Sequence, residues 1–172
     1  FKDKELVRFD GVYDPQEDSM LLVNSVKVKK GDKTLDLGSG TGIQSVNMAL
    51  QGAEVLAVDI NEAALKNTEV MAKSFAVEKS VKTRKSDLFS NIKKSEKFDC
   101  IVFNPPYVPS NKIKYLELDG GKNGRIVLDR FMAEFPEYLN KNGICYFLQS
   151  SLNGIKKTEE KLKKSGLDFE IV

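Results

Sequence analysis

The tetrapeptide Asn104-Pro105-Pro106-Tyr107 carries the clearest chemical signal in the sequence, because it directly follows the apolar run Phe98–Phe103. A run this short and apolar predicts a buried strand, and the two prolines must end it, since neither has an N–H for a sheet. The chain then leaves the strand in a stiff, extended conformation. It carries there a side-chain amide, backbone carbonyls and an aromatic ring, which can accept hydrogen bonds from an NH2 group and pack against a planar one. These features predict chemistry on an amide or amino nitrogen.

A glycine-rich segment, Leu35-Asp36-Leu37-Gly38-Ser39-Gly40-Thr41-Gly42, follows the first predicted strand. Its three glycines allow a tight turn and let a ligand approach the backbone closely before a helix begins. The dinucleotide fingerprint G-x-G-x-x-G would match Gly38 and Gly40 but requires its last glycine at position 43, where this chain has Ile43. A NAD enzyme is therefore disfavoured. The Asp36 carboxylate, just before the turn, suits a ligand that carries a positive group, such as an amino acid or a sulfonium.

Two further carboxylates follow the next predicted strands, at the edge of the sheet where such folds bind ligands. Asp59 comes about 20 residues after the turn, where an acid commonly holds ribose hydroxyls. Asp87 follows the third strand and is placed to accept a hydrogen bond from an adenine amino group. Each of these residues alone is more often a helix cap or a turn residue. Together with the glycine turn, they outline an adenosine-shaped site.

The elements that must hold these residues alternate along the chain. Predicted helices cover residues 18–28, 43–51, 61–75, 126–139 and 156–165, and predicted strands cover 34–37, 55–58, 81–85, 99–103, 144–148 and 168–172. Asn61 suits the N-cap of the third helix, and Pro136 marks the end of the fourth or a bend in it. Strands that alternate with helices predict parallel pairing, and hence a doubly wound α/β sheet in one domain over residues 1–172.

Composition narrows the classes of function. The 172 residues are 41% hydrophobic and 30% charged with a net charge of +2, which fits one globular domain with a sizeable core. The basic residues are scattered, and the mixed-sign run at 156–164 indicates a solvated helix face rather than a duplex-binding surface.

No run is apolar enough for a membrane span, and the absence of His disfavours a zinc site. Cys100 and Cys145 lie in predicted strands, so we expect core cysteines rather than a disulfide, and a cytoplasmic protein.

Two more segments complete a pattern that resembles a known family. The signature Y-x-P-x-E-D-[ST] has its counterpart in Tyr13-Asp14-Pro15-Gln16-Glu17-Asp18-Ser19, and the segment G-G-x-x-G-R-x-v-x-D-R-F in residues 120–131. With N-P-P-Y, in this order and spacing, they resemble the HemK-like class I S-adenosyl-L-methionine-dependent protein-glutamine N5-methyltransferases. The archaeal and eukaryotic branch, which modifies class I release factors, is the most similar. The resemblance runs from Gly11 to Val172.

The resemblance implies a Rossmann-like fold with a mostly parallel, seven-stranded sheet. The family's seventh strand is antiparallel and lies between the fifth and the sixth. This sequence stops within the predicted sixth strand, so the last strand is absent from it. An unpartnered final strand would leave open hydrogen-bonding edges, so we expect that the chain continues or that its end is disordered.

The resemblance also implies roles for individual residues. Asn104 would contact both cofactor and substrate, Tyr107 would pack against the substrate amide, and Pro105 and Pro106 would complete the catalytic tetrad. The residues expected to bind S-adenosyl-L-methionine, and its product S-adenosyl-L-homocysteine, are Tyr13, Pro15, Glu17, Ser19, Asp36, Gly38, Ser39, Gly40, Gly42, Asp59, Ile60, Asp87, Leu88 and Asn104. Residues 1–30 would form an N-terminal segment that covers the cofactor.

The loop at residues 108–125 is long for a connection inside a compact domain, and such loops are often functional. We expect it to shape the substrate entrance. Arg125 and Arg130 suit either a contact with the substrate or a brace for this loop, and the sequence leaves both readings open.

The substrate that the resemblance implies is the Gly-Gly-Gln loop of a class I translation release factor. Relatives in this branch work with a small zinc-binding activator subunit, which makes a heterodimer an expected assembly. Three alternatives stay open: N-methylation of an exocyclic amino group of adenine or guanine in DNA or RNA, methylation of a protein lysine, and a non-catalytic scaffold that binds the cofactor. Enzymes that act on bases must extrude the base, and little length or charge is left here for that task. No membrane binding and no stable nucleic-acid binding are expected.

Overall fold

The structure, a computed structural model, describes residues 1–2, 4, 6–110 and 118–172. It divides into two compact units. The first, here the sheet unit, comprises Phe1–Asn104 and Tyr138–Phe147, and the second, here the bracket unit, comprises Pro105–Glu137 and Leu148–Val172. That both units form one methyltransferase domain stays a prediction.

The sheet unit is built on a parallel sheet whose strand order is β3-β2-β1-β4-β5. Its strands are β1 (Lys33–Leu37), β2 (Glu54–Asp59), β3 (Val81–Lys85), β4 (Phe98–Phe103) and β5 (Leu139–Phe147). The strand order reverses between β1 and β4, and ligands bind outside the carboxyl ends of the strands at such a switch point. Leu37 pairs with Phe103 in register, so the glycine turn and Asn104 leave the sheet side by side.

Among the described residues, three α-helices belong to the sheet unit and two to the bracket unit. They are α1 (Glu17–Ser25), α2 (Ile43–Leu50), α3 (Glu62–Ser74), α4 (Ile126–Glu134) and α5 (Ile155–Lys164). The side chain of Asn61 caps α3 by accepting from the backbone N–H of Ala63 at 2.9 Å, which confirms the predicted cap. Helices α2 and α3 pack against β1, β2 and β3. Within the described ranges, no helix combines the length and apolar character that a membrane span needs.

Apolar residues fill the interior of the sheet unit. Strands β1 and β4 are almost continuously buried, as expected for parallel strands that are covered on both faces. Cys100 in β4 is buried, and it lies next to β5, where Cys145 is found. Both cysteines are free thiols, as predicted. Burial raises the pKa of Cys100 to about 12 and also raises that of Cys145, so neither presents a reactive thiolate.

Two predicted boundaries, the end of the fourth helix and the start of the fifth strand, were wrong. The fourth helix ends at Glu134 instead of residue 139, because Pro136 cannot donate an N–H, and a 3-10 turn over Phe135–Tyr138 leads directly into β5. Strand β5 therefore begins five residues earlier than predicted.

The predicted sixth strand at residues 168–172 is also wrong, because these residues form no strand. Phe169 and Ile171 alternate in a strand-like way, but Ile171 is 65% exposed and no described strand pairs with this segment. A strand needs hydrogen-bond partners on a neighbour, and the alternation of residue types cannot supply them. The sheet thus has five strands in the described part of the chain.

Candidate active site

The glycine-rich segment forms the predicted tight turn between β1 and α2. Gly38, Gly40 and Gly42 have φ values of 63°, 54° and 85°, a region in which residues with a Cβ are disfavoured. A Cβ added to Gly42 would lie 2.8 Å from Cα of Thr68, so this glycine lets α2 approach α3. Ser39 is buried, and its Oγ accepts from the hydroxyl of Thr68 at 3.0 Å. Gly38, the first residue after β1, is exposed at the carboxyl edge of the sheet.

Asp36 is a buried carboxylate within β1, with 2% of its surface exposed. Its Oδ2 accepts from the hydroxyl of Ser45 at 2.5 Å. Burial raises the pKa of Asp36 from 3.8 to about 7; hydrogen bonds from Ser45 oppose this shift, and the nearby charge of Asp59 adds to it. A positively charged ligand at the turn would favour the ionised form of Asp36, so the site suits a cationic group.

We predict that Asp36 makes the fold less stable as the pH rises. The folded pKa lies above the unfolded one, so the native state holds the extra proton between about pH 4 and pH 7, and stability falls through this window. Wild type should lose about 2–3 kcal/mol more of its unfolding free energy than Asp36→Asn between pH 5 and pH 8. Urea unfolding at both pH values measures the difference. Asp10→Asn, a change at an exposed carboxylate, should keep the wild-type slope, and equal slopes for all three proteins would contradict the prediction.

Asp59 lies at the end of β2 and connects the glycine turn to the start of α3. Its Oδ2 accepts from the backbone N–H of Gly40 at 3.0 Å, and its Oδ1 accepts from that of Asn61 at 2.8 Å. Burial raises its pKa, and these backbone hydrogen bonds oppose the shift. Each carboxylate oxygen has a second lone-pair direction, so both can accept a further hydroxyl. Ile60, the next residue, is 53% exposed.

Asp87 and Leu88 lie beside Asp59 at the same edge, because the backbone N–H of Ser86 donates to the carbonyl of Asp59 at 3.0 Å. Leu88 has a φ of 48°, although it carries a branched side chain, and is 8% exposed. A conformation of this kind costs about 1–3 kcal/mol and occurs more often at functional sites. The hydroxyl of Ser86 donates to the Leu88 carbonyl at 2.7 Å and holds this conformation. The sequence did not predict this strain.

The N-terminal segment reaches the site through α1. The backbone carbonyl of Ser19 accepts from Nε2 of Gln44 on α2 at 2.8 Å, so the start of α1 is anchored. Ser19 is buried and Pro15 is half-buried. Glu17 is an exposed residue in the first turn of α1, where a carboxylate stabilises the helix dipole, and the structure does not bring it to the other site residues.

Asp18 is a site residue that the sequence analysis missed. Its Oδ2 accepts from Nδ2 of Asn104 at 3.1 Å, and its Oδ1 and Oδ2 lie 3.1 and 3.0 Å from the hydroxyl of Tyr13. The signal was present, because Asp18 lies between Glu17 and Ser19 in the same signature. Oδ1 of Asn104 is buried, and among the described residues no donor reaches it. Asn104 therefore has an oriented hydrogen-bond acceptor that no described residue uses.

In the bracket unit, residues 119–126, which include three glycines, lie against the backbone of Pro106 and Tyr107. Nδ2 of Asn153 donates to the carbonyl of Tyr107 at 2.9 Å and to that of Asn123 at 3.2 Å. A Cβ added to Gly124 would lie 2.2 Å from the Tyr107 carbonyl oxygen, so only glycine permits this approach. A Cβ on Gly120 would similarly meet the carbonyl oxygen of Pro106 at 2.7 Å. The segment thus holds Pro106 and Tyr107 in place.

Arg125 braces this arrangement. It is 6% exposed, and its Nη1 donates to the carbonyl of Asn153 at 2.6 Å and to the hydroxyl of Thr158 at 2.9 Å, while its Nη2 lies 2.8 Å from Oδ1 of Asp129. Of the two predicted readings, the structure thus supports the brace for Arg125. Arg130 is exposed. The predicted substrate-entrance loop includes residues 111–117, which lie outside the described residues, and its role stays a prediction.

The residues of the sheet unit fit S-adenosyl-L-methionine. The turn at Gly38 offers an open backbone, and the carboxylates of Asp36, Asp59 and Asp87 supply acceptors for positive groups, ribose hydroxyls and an amino group. Oδ1 of Asn104 is buried and has no hydrogen-bond partner among the described residues. The individual contacts to the cofactor stay predictions.

Comparisons with known proteins identify the family of this chain. Residues 11–167 match the family model of the methyltransferase small domain. A protein of Methanocaldococcus jannaschii, classed as a protein N5-glutamine methyltransferase, is 43% identical over 93% of this chain and 83% of its own length. The release factor glutamine methyltransferase of Aquifex aeolicus is 30% identical over 77% of this chain, which spans about half of that protein (53%).

A solved structure has the same fold. The ribosomal protein L11 methylase of Lactobacillus delbrueckii subsp. bulgaricus superposes with a TM-score of 0.72 at 22% identity, over 99% of this chain and 80% of that one. This similarity confirms the Rossmann-like α/β fold. The chain therefore belongs to the methyltransferase small domain family and is an S-adenosyl-L-methionine-dependent methyltransferase of the HemK-like class.

Proposed function

We propose that this protein methylates, at N5, the glutamine side chain in the Gly-Gly-Gln motif of a class I translation release factor. The observation that carries the proposal is the buried, unsatisfied Oδ1 of Asn104, which Asp18 holds as an acceptor. A primary amide offers two N–H donors on a planar group. The two relatives described above, named for glutamine methylation and for a release factor, support the same substrate.

An amide nitrogen is a weak nucleophile, and residues of this chain can orient it for reaction. The lone pair of an amide nitrogen is delocalised into its carbonyl, so the nitrogen must be oriented before it can react. Asn104 Oδ1 accepts one N–H, and the carbonyl of Pro105, the next residue, accepts the other. These two acceptors fix the plane of the amide and stabilise positive charge that develops on nitrogen.

S-adenosyl-L-methionine supplies, when bound, a methyl group on a sulfonium sulfur: the N–C bond forms as the C–S bond breaks, and the electron pair stays on sulfur. The methylated nitrogen is acidic and releases its surplus proton to solvent afterwards. A strong general base is therefore not required before transfer.

We also propose that a small zinc-binding activator subunit pairs with this chain in the cytoplasm, where translation factors act. Strand β3 lies at one end of the strand order, so in the described structure one of its edges carries backbone groups available to another strand. An added strand at this edge would enlarge the sheet without obstructing the β1 and β4 ends.

A methyl-transfer assay tests the proposed substrate. The protein, with and without the activator subunit, is incubated with radiolabelled cofactor and either a release factor, its Gln→Ala variant in the Gly-Gly-Gln motif, or total nucleic acid. We expect label on the unmodified release factor alone, and more of it with the activator. Label that persists on the Gln→Ala variant would refute the proposal, and label only on nucleic acid would favour methylation of a base amino group.

A further inference from the structure

We propose that Asp18 is a positioning residue that decides which end of the Asn104 amide faces the substrate. The proposal rests on the proposed function in one respect, since it assumes that the substrate donates N–H groups to Asn104. The orientation of the Asn104 side-chain amide can be measured without any substrate.

The hydrogen bonds at Asp18 define the orientation. A carboxylate can only accept hydrogen bonds, and Oδ2 of Asp18 lies 3.1 Å from the amide end of Asn104. The Asn104 nitrogen must therefore face Asp18, and its carbonyl oxygen must face the other way. Ser19 Oγ also lies near this nitrogen, at 3.5 Å, but a hydroxyl can donate or accept and so cannot impose an orientation.

Asp18 is itself held rigidly enough for this task. Its Oδ1 accepts from the backbone N–H of Ser19 at 2.6 Å, and Tyr13 donates to the same carboxylate. The helix that carries it, α1, is anchored on α2 by two buried side-chain amides, from Gln44 to Ser19 and from Asn47 to Val23. A supported carboxylate of this kind can hold Asn104 within the narrow angular range that catalysis requires.

The orientation matters because a reversed amide would repel the substrate. With Asn104 turned by half a rotation, its NH2 group would meet the N–H groups of a substrate amide, donor against donor. The oxygen that is now buried without a partner would instead lie toward residue 18. The carboxylate of Asp18 thus holds the nitrogen of Asn104 and directs its Oδ1, the acceptor, toward the substrate.

An exchange of the two groups tests the proposal. In Asp18→Asn, the backbone N–H of Ser19 continues to donate to the side-chain oxygen at position 18. The NH2 group of the introduced asparagine therefore faces Asn104, and the Asn104 amide must turn over so that its oxygen accepts from this NH2 group. In Asn104→Asp, two carboxylates meet. We expect each single variant to lower kcat by about 30-fold or more, while the double variant, which restores one donor and one acceptor, regains about tenfold over Asn104→Asp. A residue with a purely structural role would show additive losses.

Asp168→Asn is the matched control, since it removes the same charge from an exposed side chain outside the N-terminal segment. Its kcat should stay within about twofold of wild type. A double variant that is no more active than Asn104→Asp would overturn the proposal.

A spectroscopic measurement separates this proposal from the proposed function. In protein labelled with ¹⁵N-asparagine, the side-chain amide signal of Asn104 is identified by its loss in Asn104→Asp. We expect Asp18→Asn to shift this signal, and Asp168→Asn to leave it in place. An unshifted signal in Asp18→Asn refutes the positioning role, whatever the substrate is. A wild-type protein that fails to methylate glutamine refutes the proposed function, while the shift still decides the role of Asp18.

Discussion

Asn104→Ala should abolish glutamine methylation while the cofactor site remains functional. The substitution removes the side-chain acceptor Oδ1 of Asn104, which is buried without a hydrogen-bond partner among the described residues. The substrate nitrogen then loses the hydrogen bond that fixes its plane and stabilises its developing charge. Removal of one such group typically costs about 10²–10³ in kcat. The glycine turn and Asp59 are unchanged, so affinity for S-adenosyl-L-homocysteine should stay within about tenfold.

Two measurements decide this prediction. Single-turnover transfer of labelled methyl groups gives the rate, and calorimetry gives the affinity for S-adenosyl-L-homocysteine. Asn24→Ala is the matched control, because Asn24 is an exposed residue of α1 and the change of side chain is the same. It should retain wild-type rate and affinity. Unchanged turnover in Asn104→Ala would refute the assigned role of the amide.

Gly124→Ala should damage both the stability of the bracket unit and the activity. The new Cβ would lie 2.2 Å from the Tyr107 carbonyl oxygen and 2.2 Å from Nδ2 of Asn153, which are the two partners of one hydrogen bond. The φ of 63° adds a backbone cost. We expect a loss of about 2–4 kcal/mol in the free energy of unfolding, and a loss of turnover because Tyr107 is displaced.

Gly154→Ala separates the clash from the backbone cost. Gly154 has a φ of 72°, similar to that of Gly124, but its added Cβ would meet nothing within 4 Å. Alanine there should cost about 1–2 kcal/mol and leave turnover near wild type. Urea unfolding of both variants measures the difference. Equal destabilisation of the two variants would show that Gly124 is required only for its backbone conformation.

Local patterns in the sequence were enough to predict most of the sheet and its ligand-binding edge. The tight turn at Gly38, Gly40 and Gly42, the cap at Asn61 and the position of Asp59 at the end of the second strand were all confirmed. Turns, caps and buried strands depend on residues close in sequence, so residue type and spacing carry most of the information.

The features that the sequence predicted wrongly or left open depend on distant neighbours. The strand predicted at residues 168–172 required a partner strand, and the alternation of Phe169 and Ile171 does not reveal one. The choice between substrate contact and brace for Arg125 depended on Asn153 and Thr158, which lie 28 and 33 residues away in sequence.

By itself, the sequence determined the order of the helices and of the first five strands, a resemblance to a methyltransferase family and the presence of a planar acceptor at Asn104-Pro105-Pro106-Tyr107. It did not determine which atom of Asn104 is available to a substrate. That was decided by Asp18, 86 residues away along the chain, which becomes a neighbour of Asn104 only once α1 is anchored on α2 beside the end of β4. The physical reason is that an amide has a donor end and an acceptor end, and only its folded surroundings distinguish them.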